Sequence, residues 1–167
     1  MNTQWMGRYR PLIAALVQHA NINLRMARQR GSIGGGISLT SVEWQVLEAI
    51  IESQGDMPSM IGIAGKLGIP QSTFSRTVKM LCDLKLVEKY QTASNRKNII
   101  LVPTAIAIDL YKEKADGASF SHFQEFFSNL DTLSNEDLET VVSALERFNA
   151  ALDAIHRPGS DELIKID

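Results

Sequence analysis

Residues 69–84 read IPQSTFSRTVKMLCDL, and this stretch limits the fold more than any other. Ile69 and Pro70 close a turn, because proline suits the first turn of a helix and disfavours helix in the residue before it. The spacing then predicts a helix over 71–84, about 21 Å long at 1.5 Å per residue. Phe74, Val78 and Leu81 recur at i, i+4 and i+7 as one apolar stripe. Ser72, Ser75, Arg76, Lys79 and Asp83 fall on the other side. That side is small, hydroxylated and basic through two turns, so it would fit a major groove about 12 Å wide and offer donors to bases and phosphates. Taken alone, it would equally suit a solvated helix face.

The flanking text decides between these readings. Residues 58–68, PSMIGIAGKLG, form a short helix-like segment with Met60, Ile63, Ala64 and Leu67 apolar and Gly68 as a stop. A short helix, a glycine turn and a second helix make a helix-turn-helix. Downstream, residues 86–90 and 99–102 read as two strands around a polar loop over 91–98, with Arg96 and Lys97 near its tip. The sum is a winged helix-turn-helix.

The whole-chain charge of −2 hides a segregation. Residues 61–103 hold seven basic and two acidic side chains, +5, while residues 104–167 hold five and thirteen, −8. The first sixty carry +1. A basic module beside an acidic one is what steering toward phosphate requires. Cys82, the single cysteine, excludes an internal disulfide and a four-cysteine zinc site, and fits a reducing cytoplasm. The apolar run over 11–17 is too short for a bilayer. A soluble, cytoplasmic protein without membrane attachment is therefore expected.

Before the winged module, residues 1–30 read as one long helix, with Leu12, Ile13, Leu16, Val17, Ile22, Leu24 and Met26 near helical spacing. Arg25, Arg28 and Arg30 cluster at its end, where cations suit the helix dipole. GSIGGGIS, 31–38, reads as a flexible loop, and neither it nor Gly65-Lys66 has the spacing of a nucleotide-phosphate motif. Thr40-Ser41-Val42-Glu43 is a capping box opening a helix through Ser53. Trp44 on that helix is either a packing residue or a ligand-facing one.

After the wing, Pro103 stands at the start of a further helix, or a bent pair of helices, reaching 130, with Gly117 as the bend and four phenylalanines from 120 to 127. Ser134-Asn135-Glu136-Asp137 caps a last helix, which Pro158-Gly159 stops before an acidic tail. Three apolar-striped terminal helices exceed what a small winged domain covers, and suit an intertwined dimer interface. The resulting division is 1–38, N-terminal dimerisation helix and loop; 39–103, winged helix-turn-helix; and 104–167, C-terminal dimerisation helices and tail. The fold class is mainly α with a small β-hairpin wing.

In this order of elements the chain resembles the MarR family of bacterial transcription regulators. Leu39-Thr40 matches the family's Leu-Thr before the second helix, and Ile69, Ser72, Thr73, Ser75 and Arg76 echo its helix-turn-helix text. Asn95-Arg96, the β-branched run after it and Thr104 correspond to the wing signature, with Asn95 in place of the usual Asp. Ala107 and Lys85 stand where the family has glycine.

The resemblance implies a homodimeric DNA-binding regulator, more often a repressor, acting on a pseudo-palindromic operator. Arg76 and Lys79 are the candidates for base-edge or phosphate contact, with Gln71, Ser72, Thr73 and Ser75 supporting them and Arg96 and Lys97 on the wing. It also implies small aromatic or amphipathic effectors, for which His19, Met26 and Trp44 are candidate lining residues. No cofactor and no metal are expected. His19, His122 and His156 have no metal-ligand spacing and no GxSxG motif occurs, so an enzyme is not expected. The competing class is a winged-helix interaction protein that does not bind DNA.

Overall fold

In a computed structural model the described residues are 3–55, 59–92, 95–115 and 121–156. They form α1 (Arg10–Met26), β1 (Arg30–Gly34), β2 (Ile37–Thr40), α2 (Ser41–Glu52), α3 (Met60–Leu67), α4 (Gln71–Asp83), β3 (Val87–Thr92), β4 (Asn95–Pro103), α5 (Ala105–Ala115), α6 (Ser121–Leu130) and α7 (Asn135–His156). The chain divides into two compact units, Met1–Ser119 and Phe120–Asp167. The mainly α fold with a hairpin wing agrees with the expectation. The Gly117 bend, the Pro158-Gly159 stop and the acidic tail lie outside the described residues.

In the first unit, α2 packs against α3, α4, β4 and α5. Its core joins Val46, Leu47 and Ile50 of α2 to Ile63 of α3, to Phe74, Val78 and Leu81 of α4, and to Leu86, Val87 and Leu101 around the wing. Each such side chain removed from water contributes roughly 1.5–3 kcal/mol. The capping box forms as read: Glu43 N–H donates to Thr40 Oγ1 at 3.3 Å, and Thr40 N–H donates to Glu43 Oε2 at 2.8 Å.

The N-terminal third differs from the expected single helix and loop. A 3-10 turn, Thr3–Tyr9, precedes α1 and is kinked at Gly7, where φ is +49°. The helix starts at Arg10, just ahead of Pro11, and ends at Met26. Residues 30–40 are an antiparallel hairpin rather than a flexible loop, because Ile33 and Leu39 are drawn into the core. Gly34 makes the turn feasible. Its φ is +102°, and a Cβ there would stand 2.9 Å from Leu110 Cδ2. Arg30 is a strand residue, not a helix-end cation: its guanidinium donates to Ser38 O at 2.7 Å and pairs with Glu43 at 3.1 Å.

The wing is longer than its β-branched runs. β3 and β4 pair from Val87↔Pro103 to Thr92↔Asn95, so most of the stretch read as a polar loop is strand. Pairing, not side-chain polarity, decided this, since a ladder satisfies backbone groups whatever faces water. Pro103 ends β4 instead of opening a helix. Thr104 precedes α5, its Oγ1 accepting from Ala107 N–H at 3.3 Å.

The two helices of the central motif end alike. Gly68, at φ +63°, closes α3, with Gly68 N–H on Gly65 O and Ile69 N–H on Ala64 O. Lys85, at φ +59°, closes α4, with Lys85 N–H on Cys82 O and Leu86 N–H on Leu81 O. Both are Schellman caps, which favour glycine at the left-handed position. Lys85 holds that conformation because Leu86 is fully buried and Thr104 grips both sides of the turn. Thr104 Oγ1 donates to Lys85 O at 2.9 Å, and Thr104 N–H donates to Leu86 O at 3.0 Å.

The second unit holds two amphipathic helices, α6 and α7. Ser134 caps α7, accepting from Asp137 N–H at 3.1 Å and donating to Asp137 Oδ2 at 2.6 Å, which holds the Asp137 carboxyl below its ordinary value. Val141, Val142 and Phe148 of α7 and Phe126 and Phe127 of α6 remain exposed. Along α1 no residue is buried.

Left-handed backbone costs a lysine about 1 kcal/mol that glycine avoids. Lys85→Gly should therefore raise the unfolding free energy by roughly 0.5–1 kcal/mol, after the extra entropy glycine gives the unfolded chain. Urea unfolding checks this; a less stable variant would show that the lysine side chain contributes more than its backbone costs.

Candidate nucleic-acid interface

Burial of Phe74, Thr77, Val78 and Leu81 fixes the rotation of α4 about its axis. Positions 72, 75, 76, 79 and 83 then lie away from the buried stripe, and Ser72, Ser75, Arg76, Lys79 and Asp83 are all exposed, as is Gln71 at the N-terminal end of the helix. Thr73 is half-buried at the edge. Among the described residues none forms an ion pair with Arg76 or Lys79. Both cations therefore stand toward solvent without a described carboxylate competing for them.

The first turn of α4 adds to this surface. Pro70 offers no side-chain cap, and the first N–H to find an intrahelical acceptor is that of Phe74, on Pro70 O at 3.0 Å. The N–H groups of residues 71–73 therefore lie at a positive helix end where phosphate oxygens are favoured. The turn before α4 is set by the Gly68 cap, and Ser59 starts α3 by accepting from Gly62 N–H at 3.2 Å.

On the wing, the backbone of Arg96 and Lys97 lies at the start of β4. Their side chains fall outside the described residues. Along β3, Lys89 and Tyr90 are exposed, and Tyr90 donates its hydroxyl to Glu88 Oε2 at 2.5 Å. That bond to a carboxylate raises the Tyr90 hydroxyl above its ordinary pKa.

The candidate effector residues are placed as follows. His19 and Met26 are exposed on α1, and His19 Nε2 is hydrogen-bonded to Asn23 Nδ2 at 2.7 Å. Trp44 is half-buried and packs on α5, stacked on Tyr111 with ring centroids 5.7 Å apart. Lys114 Nζ stands 4.1 Å from the Trp44 ring centroid. No hydrogen bond or ring contact among the described residues joins His19 or Met26 to Trp44.

Glu48 belongs to the same α2–α5 cluster. Burial, helped by Glu52, raises its carboxyl against the opposing pull of Tyr111 and Lys114. Burial likewise raises Tyr111 and lowers Lys114. Periodicity marks Tyr111 as an apolar position of its helix, but neither its stacking on Trp44 nor the place of Lys114 is read from the sequence. Their i, i+3 spacing was the available signal, but a pair on one helix does not say which helix it faces.

Thr104 and Lys85, which hold the end of α4, were also missed as structural partners. A threonine before a helix is a readable cap, whereas the turn it grips lies nineteen residues away. Among the described residues no group of three or more His, Cys, Asp or Glu could hold a metal ion. No helix of the described residues is long and apolar enough to cross a membrane.

Comparison with known proteins places this geometry. Residues 36–97 match the model of the MarR family. No curated protein matches the chain. Among solved structures, a MarR/EmrR family transcriptional regulator from Acinetobacter sp. ADP1 is 18% identical, with a TM-score of 0.61 over 87% of this chain and 96% of that one. MepR of S. aureus, solved as a DNA complex, is 21% identical, with a TM-score of 0.54 over 86% and 93%. The PcaV transcriptional regulator of Streptomyces coelicolor, solved with its natural ligand, is 15% identical, with a TM-score of 0.56 over 88% and 96%.

Cys82 lies half-buried on α4 next to this surface, and burial raises its thiol above the ordinary value, with Lys89 opposing and Asp83 adding to the shift. A protonated thiol is a poor nucleophile. Iodoacetamide should therefore alkylate Cys82 of the folded protein at pH 7 more slowly than free cysteine; an equal or faster rate would contradict this account of its surroundings. Residues 36–97 thus match the MarR family model, in a chain whose fold is similar to that of a MarR/EmrR family transcriptional regulator.

Proposed function

We propose that the protein is a sequence-specific DNA-binding transcription regulator that acts as a homodimeric repressor on a pseudo-palindromic operator. The observation that carries this reading is the outer face of α4, where Gln71, Ser72, Ser75, Arg76 and Lys79 are exposed together while the inner face is fully buried. Arg76 and Lys79 meet bases or phosphates in the major groove, and Thr73 supports the first turn. Arg96 and Lys97 reach from the wing toward an adjacent minor groove, where narrow A·T-rich geometry attracts arginine. The DNA-bound MepR structure supports this reading through its shared fold.

Uncovered apolar surface supports the dimer. Leu12, Val17 and Leu24 of α1 are 55%, 54% and 73% exposed, and Val142 and Ile155 of α7 are 53% and 75% exposed. Faces of this kind mark association sites. Two-fold symmetry then sets half-sites about one helical turn apart. A small aromatic or amphipathic ligand releases the repressor by favouring one spacing of the two recognition helices, by as much as its affinities for the two spacings differ. Trp44 supplies the aromatic surface for such a ligand, and His19 and Met26 contribute from α1. The ligand-bound PcaV structure supports this part through its shared fold.

An electrophoretic shift with duplexes from the region upstream of its own gene tests the DNA claim. A retarded complex is expected, and its log affinity should fall with log salt by about 0.9 for each phosphate neutralised. Absence of any complex at low salt would leave the interaction-protein reading standing instead. Light scattering on a Leu145→Asp, Leu152→Asp variant tests the dimer. Two carboxylates in an apolar interface should split it and weaken operator binding with it. A variant that stays dimeric and binds DNA normally would place the interface elsewhere.

A further inference from the structure

The outer face of α4 is not uniform along its length. At 1.5 Å per residue, Gln71 and Lys79 are about 12 Å apart along the axis, so the face spans between three and four base steps of about 3.4 Å. Arg76 lies in the second turn, with Ser72 four residues and Ser75 one residue before it. Those short side chains let the helix backbone come close to a groove floor at that turn. Phe74, Thr77 and Val78 flank Arg76 in sequence and are buried, so its Cα is anchored. Its guanidinium has no described ion-pair partner.

Lys79 stands nearly a turn further on, and Asp83 follows at i+4, exposed, so the cationic character of the face ends there. In helix-turn-helix docking the N-terminal part of the second helix meets base edges. A planar fork matches the O6 and N7 acceptors of guanine, whereas a lysine ammonium is a point charge without that geometry.

We infer that Arg76 reads a guanine in each operator half-site, while Lys79 holds the phosphate backbone and carries no base preference. This rests on the proposed DNA-binding function, and deepens it by dividing the roles of the two cations. The half-site therefore contains one G·C pair on which Arg76 alone confers selectivity.

The test is selection from a pool of random duplexes by the full-length protein, followed by titration of the selected duplex and of the same duplex with that guanine replaced. Wild type should enrich a palindromic site with guanine at one fixed position in each half. Arg76→Ala should lose roughly 5- to 150-fold in affinity for the selected duplex and lose preference at that position alone. Arg76→Lys keeps the charge but not the fork, and should lose the same preference. Lys79→Ala should weaken both duplexes alike and flatten the salt dependence by about one phosphate. Thermal melting of each variant should match wild type, since neither side chain is in the core.

If Arg76→Ala selects the same site with the guanine preference intact, the inference is overturned. It is equally overturned if Arg76→Ala weakens all duplexes alike, which would make Arg76 a phosphate contact. If the wild-type protein enriches nothing, the DNA-binding reading fails and takes the inference with it.

Discussion

Burial of one stripe on α4 fixes the face that this helix offers to a partner. Phe74, Val78 and Leu81 have no solvent exposure, and Thr77 is nearly as deep. Turning the helix by one residue would expose a phenylalanine and bury an arginine, a loss of several kcal/mol on both counts. The rotation of α4 is therefore not adjustable, and the positions of Ser72, Ser75, Arg76 and Lys79 follow from it. The hydrophobic core thus performs a positioning task as well as a stabilising one.

Polar joints secure the ends of that arrangement. Glu43 closes the capping box of α2 and also pairs with Arg30, tying the first hairpin to the helix on which the core is assembled. Thr104 caps α5 and also holds the carbonyls of Lys85 and Leu86, tying the end of α4 to the end of the wing. In both cases one side chain serves two elements. Removing either would loosen a junction rather than a single bond, and without Thr104 the wing would lose its fixed relation to α4.

Local spacing carried a large part of this architecture. The Thr40–Glu43 box, the Gly68 stop and the 74/78/81 stripe are each determined within a few residues, so they could be read directly. What could not be read depends on pairing across the chain. GSIGGGIS has the composition of a flexible loop, and becomes a hairpin because Ile33 and Leu39 find a core made by α2 and α5. The wing strands extend into polar text for the same reason. Lys85 adopts a conformation that glycine favours, which the sequence alone presented as a departure from the family and the structure explains through Leu86 and Thr104. The candidate DNA-contacting residues of α4 were placed on their common face by periodicity, whereas the surroundings of Trp44 required the position of α5.

The central claim is that the outer face of α4 is the surface that meets DNA. Ser75 is at its centre, exposed, and takes no part in the core. A carboxylate at that position would face phosphates and base acceptors while leaving the buried stripe intact. Fluorescence anisotropy of a labelled operator duplex, titrated at fixed salt with wild type and Ser75→Glu, measures this directly. The account predicts at least a tenfold loss of affinity with an unchanged melting temperature. Equal affinities for the two proteins would contradict it.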